Sequence, residues 1–188
     1  GKLSIDDSVT KYIDLKQHNA AGITIKHLLN HSSGLYNYTA SKKLKWEDTP
    51  NQCLENSLKR KLNFTPGSKY DYCNTGYVIL GLIIEKITAQ SYQQNITERI
   101  FKPCGLESMI YCSDDKIPFN TARGYKIKHN KYTDFTEIDH SWANSAGAVL
   151  GNLTDLNKFV DCLFKGNLID SSQLKKMISP TIIYRDLN

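Results

Sequence analysis

Lys69–Lys86 reads KYDYCNTGYVILGLIIEK. It opens with aromatic and polar residues and closes in an apolar run. Asn74 or Thr75 can cap a helix that runs to about Thr88. Val78, Ile79, Leu80, Leu82, Ile83, Ile84 and Ile87 wrap nearly all round it. A helix that apolar is buried at the centre of its fold. Tyr72 and Asn74 stand one residue apart at its entrance. On their own, an Asn before a helix is a cap and a Tyr is core.

Outward from this helix the chain reads as mainly helical, with a little antiparallel sheet. In GITIKHLLNHSSGL, Thr24 caps a short helix with Gly34 as its stop. TPNQCLENSLKRKL places Pro50 in a first turn and Cys53, Leu54, Leu58 and Leu62 along one side. FTPGSKYDY turns at Pro66-Gly67. SYQQNITERIF is a helix capped by Ser91 and closed before Pro103. CGLESMIY turns at Gly105 into a strand, and ARGYKIKHNKYTDFTEI alternates around an HNK turn, a hairpin pattern. SWANSAGAVL is a small-residue loop. NLTDLNKFVDCLFKG is a helix with Thr154 as cap and Gly166 as stop, and SSQLKKMIS a last helix before Pro180. There are no internal repeats, low-complexity tracts or long linkers.

The 188 residues suffice for one domain with a core, or two small lobes. Hydrophobic content is 40%, charged content 23% and net charge +5. The lysines are scattered. KHLLNH and KLKW are too sparse for a nucleic-acid stripe, which argues against that partner. YVILGLII is cut short by Glu85 and Lys86, so it does not span a membrane. The five cysteines form no C-x-x-C pair and have no His at ligand spacing, and they read as small buried hydrophobes. An odd count leaves at least one free thiol. His27 and His31 lie one helical turn apart but lack a third ligand, so no metal and no cofactor is expected. GKLSIDDSVTKYI opens like the end of a preceding element, so the chain is expected to begin mid-protein.

Several motifs in order now carry a resemblance. GKLSIDDSVTKYI, ITIKHLLNHSSGLYNY, FTPGSKYDYCNTGYVILGLIIEKIT, ERIFKPCGLESM and SWANSAGAVLGNLTDLNKF resemble successive segments of the penicillin-recognising serine hydrolases. That family holds class C β-lactamases, serine D-Ala-D-Ala carboxypeptidases and related esterases. HSSGLYNYT and SWANSAG look most like the carboxypeptidase branch. The implied fold is α+β, β-lactamase/transpeptidase-like. Residues 1–188 would be a partial domain: mainly the helical lobe with a small antiparallel hairpin, lacking most of the main sheet.

The resemblance also implies chemistry. Such enzymes attack a carbonyl with the serine of a Ser-x-x-Lys helix and pass through an acyl-enzyme. The serine needs a base within hydrogen-bond reach. Tyr72 of the Tyr-x-Asn motif would be that base, or a proton relay beside the motif lysine. A free phenol titrates near 10, so nearby lysines would have to stabilise its phenolate. Asn74 would donate its amide to the substrate carbonyl. Trp142 would line the cleft, and Ser145, with Ala146 and Gly147, would let backbone approach it. Their ordinary readings are packing and a tight turn. His140 beside Trp142 reads as surface loop. Cys73 would point away from the site.

Two required motifs have no suitable match. SVTK (Ser8–Lys11) and SQLK (Ser172–Lys175) fit Ser-x-x-Lys on paper only. By resemblance the nucleophile lies upstream of Gly1 and a Lys/His-Thr-Gly strand beyond Asn188. The expected parent is therefore a serine D-Ala-D-Ala carboxypeptidase-like hydrolase acting on peptidoglycan-type peptides, and this chain alone is expected to be inactive. Its ligand would be a small peptide or a β-lactam. A β-lactamase or esterase of the same family, or a non-catalytic binding domain, are the alternatives. The family implies a periplasmic or extracellular enzyme. The central helix would leave apolar surface open where the missing sheet should pack, which predicts self-association.

Overall fold

The computed structural model describes residues 2–15, 20–41, 49–112, 117–136 and 141–180. His140 and the lysine-rich KLKW stretch lie outside them. Six α-helices are present among the described residues: α1 (Ile25–Leu29), α2 (Pro50–Leu58), α3 (Asn74–Thr88), α4 (Tyr92–Ile96), α5 (Leu153–Phe164) and α6 (Ser171–Ile178). Strand β1 (Ile110–Tyr111) pairs antiparallel with β4 (Val149–Leu150), and β2 (Tyr125–Lys128) with β3 (Lys131–Asp134). The pattern is the helical lobe with a small hairpin that the sequence predicts.

Helix α3 is the centre. Thr75, Gly76, Val78, Ile79, Gly81 and Ile83 are buried along it. Ile79 and Ile83 join Val9, Leu15, Ile23, Ile25, Leu28 and Leu35 in one core cluster. Ile96, Phe101, Leu106, Tyr111 and Ala148 form a second. The helix ends at Ala89, whose left-handed backbone (φ 56°) lets its N–H bond the Glu85 carbonyl. Helix α4 continues as a π-helical turn, Thr97–Phe101, before Pro103.

Local chemistry places most of the boundaries. Thr49 and Gln52 form a capping box ahead of Pro50 at the start of α2, and Ser91 and Gln94 do the same for α4. At the hairpin tip His129 and Asn130 both take positive φ (48° and 59°), the twist that a two-residue hairpin turn requires. Three expectations move. Helix α1 stops at Asn30, with His31 left-handed (φ 57°), well before Gly34. Helix α5 is capped by Asn152, whose side chain accepts from the Asp155 N–H, and not by Thr154. Helix α3 is capped by Cys73 and not by Asn74 or Thr75.

The cysteines divide. Cys53, Cys73 and Cys112 are buried thiols, as expected, but Cys104 and Cys162 form a disulfide with Cα atoms 5.7 Å apart. It ties the turn that follows the π-helical segment to α5 across 58 residues of sequence. Asp155 holds the same two regions together from inside. Its buried carboxylate accepts the Ser108 N–H at 2.6 Å and pairs with Lys158 at 2.9 Å. The Ser108 N–H and then Lys158 bring its carboxyl down to about 2.

The open apolar surface also moves. The sequence placed it on α3, but α3 is largely covered. Leu153, Leu156, Val160 and Phe164 form an exposed stripe along α5 instead. Replacing Cys104 and Cys162 together by serine should lower the unfolding free energy by about 4 kcal/mol, the chain-entropy value for a loop of about this size. Urea denaturation of the oxidised protein and the double variant measures it. A difference under about 1 kcal/mol would mean that the bond adds little to the fold.

Candidate active site

Cys73 has extended backbone (φ −143°, ψ 104°) just before α3. Alternate residues of extended chain point to opposite faces. Cys73 points in: it is 3% exposed, and its Sγ donates to the Leu35 carbonyl at 3.3 Å. Burial pushes its thiol pKa up, away from thiolate chemistry. Tyr72 and Asn74 therefore share the outward side, with Tyr72 53% exposed. The one-residue spacing gives both side chains a common face while Cys73 carries the packing.

Asn74 is the first residue inside α3, so its side chain is not a cap. Its Nδ2 donates to Thr39 Oγ1 at 3.2 Å. An amide carries two N–H donors, and this bond uses one. Its backbone N–H donates to Asn37 Oδ1 at 3.2 Å, and Asn37 Nδ2 donates to the Tyr72 carbonyl at 3.4 Å. Asn37 thus clamps both motif residues, while its Oδ1 also accepts from the Thr39 N–H and hydroxyl. Sequence reasoning missed it. Its only local signal is an Asn ahead of a turn, and its partners lie about 35 residues away.

The segment has further ties. His31 Nδ1 accepts the Cys73 N–H at 3.1 Å, and the His31 carbonyl accepts the Asp71 N–H at 2.9 Å. The imidazole centroid is 4.5 Å from the Tyr72 ring and 5.0 Å from the Tyr77 ring. Thr75, fully buried, donates to the Tyr36 carbonyl at 2.7 Å and accepts the Tyr38 N–H at 3.0 Å.

Tyr38 leads on to Trp142. Its hydroxyl donates to the Trp142 carbonyl at 3.0 Å, and the two rings meet edge-on at 6.1 Å. Burial raises the Tyr38 phenol pKa well above its ordinary value, which keeps it a donor. Trp142 packs with Tyr38, Cys53, Val78 and Ala146, half-buried. It lies in a 3₁₀ segment, Ser141–Ala146, kinked at Asn144 (φ 42°, ψ −137°). Ser145 is held on α3. Its hydroxyl donates to the Tyr77 carbonyl on α3 at 2.8 Å. A Cβ on Gly81 would come within 2.1 Å of that hydroxyl. Gly81 is what lets this segment sit on α3.

The serines of both paper matches to Ser-x-x-Lys bond local partners. Ser8 donates to the Ala21 carbonyl at 3.0 Å and caps the 3₁₀ turn Val9–Lys11, while Lys11 pairs with Asp7 at 3.0 Å. Ser172 donates to the cap carboxylate of α6, Asp170, at 2.6 Å. His27 and His31 turn to different partners. His27 Nδ1 accepts the Thr24 N–H, and His31 has left the helix. No group of three His, Cys, Asp or Glu that could hold a metal lies among the described residues. Two clefts of about 520 and 540 Å³ lie elsewhere, beside β1 and between α3 and α4. At Tyr72 and Asn74 the surface offers a hydroxyl that can pass a proton and an amide that can hold a carbonyl.

The chain matches the profile of the Beta-lactamase family over residues 1–183. It belongs to that family. The family comprises serine hydrolases that include penicillin-binding proteins, and the fold is the β-lactamase/transpeptidase fold. Penicillin-binding protein 4* of Bacillus subtilis is 28% identical over 96% of the chain and 44% of its own length. The teichoic acid D-alanine hydrolase of Staphylococcus aureus is 28% identical over 96% of the chain and 42% of its own. A D-stereospecific amidohydrolase from Streptomyces superposes with a TM-score of 0.87 at 28% identity, covering 95% of the chain and 58% of that structure. The chain spans under half the length of these curated relatives.

The packing of Ser145 on Gly81 yields a paired test. Gly81→Ala should cost about 1–3 kcal/mol by overpacking. Adding Ser145→Gly should recover most of it, because the clash is with the Ser145 side chain. A double-mutant cycle by chemical denaturation reads the coupling. Additive losses would separate the two residues.

Proposed function

We propose that the full-length protein is a serine acyl-transfer hydrolase of the D-Ala-D-Ala carboxypeptidase type. It would cleave the bond after a D-alanyl carbonyl through an acyl-enzyme. One observation carries the reading: Tyr72 and Asn74 share an outward face, held from behind, with neither spent on the fold as core or cap. A teichoic acid D-alanine hydrolase and a D-stereospecific amidohydrolase among the relatives support a D-configured acyl group.

In this mechanism a serine Oγ from the family's Ser-x-x-Lys helix attacks the carbonyl carbon. Tyr72 takes the serine proton, directly or with the motif lysine, and gives it to the leaving amine as the C–N bond breaks. Water then hydrolyses the ester. Asn74 Nδ2 donates to the substrate's own amide carbonyl and fixes its register. Trp142 forms an apolar wall of the cleft. Ser145 serves the site by anchoring that segment to α3. Neither a metal nor an organic cofactor takes part.

The Cys104–Cys162 bond supports an exported, periplasmic or extracellular enzyme, since such bonds persist in oxidising compartments. The apolar stripe on α5 supports self-association of this chain when it stands alone.

A fluorescent penicillin and a D-Ala-D-Ala peptide, tested on the protein from its full-length coding region, decide the matter. Tyr72→Phe should slow acylation by about 10²–10⁴-fold, the range for general acid–base groups. Asn74→Asp should weaken substrate binding by replacing a donor with an acceptor. Wild-type acylation by Tyr72→Phe would sink the reading. The 188-residue chain alone should form no covalent adduct, and an adduct on Ser8 would move the nucleophile into it. A second reading is favoured by the amidohydrolase superposition: faster turnover of a short D-amino acid amide than of the dipeptide would select it. Saturable peptide binding without any adduct would instead make this a binding domain.

A further inference from the structure

Three features converge on His31. Its backbone is left-handed (φ 57°), a conformation that takes it out of the α1 axis and toward the segment before α3. Its carbonyl and its Nδ1 accept from the N–H groups of Asp71 and Cys73, the residues on either side of Tyr72. Its ring lies against the Tyr72 ring at 4.5 Å and the Tyr77 ring at 5.0 Å, with Tyr70 edge-on at 5.8 Å. Tyr77 is itself fixed, because its hydroxyl donates to the Leu29 carbonyl at 2.9 Å. Backbone bonds therefore bracket Tyr72 on both sides, and the same side chain that makes one of them touches its ring.

We propose that His31 is a positioning residue for Tyr72, and that its neutral imidazole is required for the hold. The inference rests on the reading of Tyr72 as the proton-transfer group. Accepting the Cys73 N–H needs a lone pair on Nδ1, so the proton sits on Nε2. Protonating Nδ1 sets two donors against each other and opens the bond. The groups facing the ring are the phenols of Tyr70 and Tyr72 from the preceding segment and of Tyr77 from α3. Asp71 meets His31 through its backbone N–H, and His27 on α1 turns its Nδ1 to Thr24. No carboxylate among these contacts stabilises an imidazolium. Burial lowers the His31 pKa below the ordinary imidazole value. The sign follows: a folded pKa below the unfolded one means that the hold is present at neutral pH and lost on acidification.

The test compares wild type, His31→Ala and His31→Asn in the full-length protein. Asparagine tolerates the left-handed backbone, and its Oδ1 can replace Nδ1 as acceptor without titrating in this range. Hydrogen exchange of the peptide around residues 69–76, and acylation by a fluorescent penicillin, are followed from pH 7 downward. In His31→Ala the Cys73 amide should exchange at least about tenfold faster, and acylation should fall by a similar factor, with the melting temperature little changed. His31→Asn should recover most of both and lack the acid limb that wild type shows. Unchanged Cys73 exchange in His31→Ala, or an acid limb that persists in His31→Asn, overturns the proposal. If wild type fails to acylate at all, the catalytic reading of Tyr72 falls, while the Cys73 exchange still decides whether His31 holds the segment.

Discussion

Helix α3 begins without a side-chain cap, and much of the site follows from that. The first N–H groups of a helix have no partners inside it. A capping Ser, Thr, Asp or Asn would supply one, but the capping residue here is Cys73, and its sulfur is turned inward to the Leu35 carbonyl. The polar groups at this entrance are satisfied from other elements. Asn37 takes the Asn74 N–H, His31 takes the Cys73 N–H, and Thr75 reaches Tyr36 and Tyr38. A cap side chain reaches only the second or third helical N–H, so the Cys73 and Asn74 N–H groups need these partners from elsewhere in the fold. Because the entrance is held from behind, its outer face is left to Tyr72 and Asn74.

Tyr38 and Tyr72, both near this entrance, show how burial assigns roles. Tyr38 is buried, its phenol pushed far from ionisation, and its hydroxyl is fixed on the Trp142 carbonyl. It bridges two elements of the fold. Tyr72 carries the same group on an exposed ring. Placement alone separates a structural phenol from one that can meet a substrate. Placement depends on the extended backbone at Cys73, just before the helix.

The alternation of Tyr72, Cys73 and Asn74 was legible in the sequence, and so was the span of α3, because both are local patterns. The capping boxes at Thr49 and Ser91 and the His129-Asn130 turn belong to the same class of signal. Asn152 and Thr154 are both good caps, and the first is the one tied to Ser108, through its own N–H and through Asp155. Gly34 looked like the stop of α1, yet His31 takes the left-handed turn earlier, where its side chain gains three aromatic neighbours. The pairing of Cys104 with Cys162 spans 58 residues, and spacing carries no information on it. The roles of Asn37, His31 and Tyr38 at the motif escaped notice for a related reason. Their partners lie about 35 to 104 residues away, so only the fold reveals that they act on the motif.

The site sits where two packing units meet. One is the cluster around Val9, Ile25 and Ile79, which fixes α1, α3 and the His31 turn. The other, around Phe101, Tyr111 and Ala148, carries the strand that follows Ser145 and is fastened by Asp155 and the disulfide. Helix α3 contacts both. On its Tyr77 turn the two sides come closest: Tyr77 presents its ring to His31 and its carbonyl to Ser145. One turn on, Gly81 leaves the space that Ser145 fills. A glycine weakens a helix interior by roughly 1 kcal/mol relative to alanine. At Gly81 that cost is set against direct seating of the Trp142 segment on the helix that Tyr72 and Asn74 lead into. A bulkier residue would improve the isolated helix while forcing the two halves of the site apart.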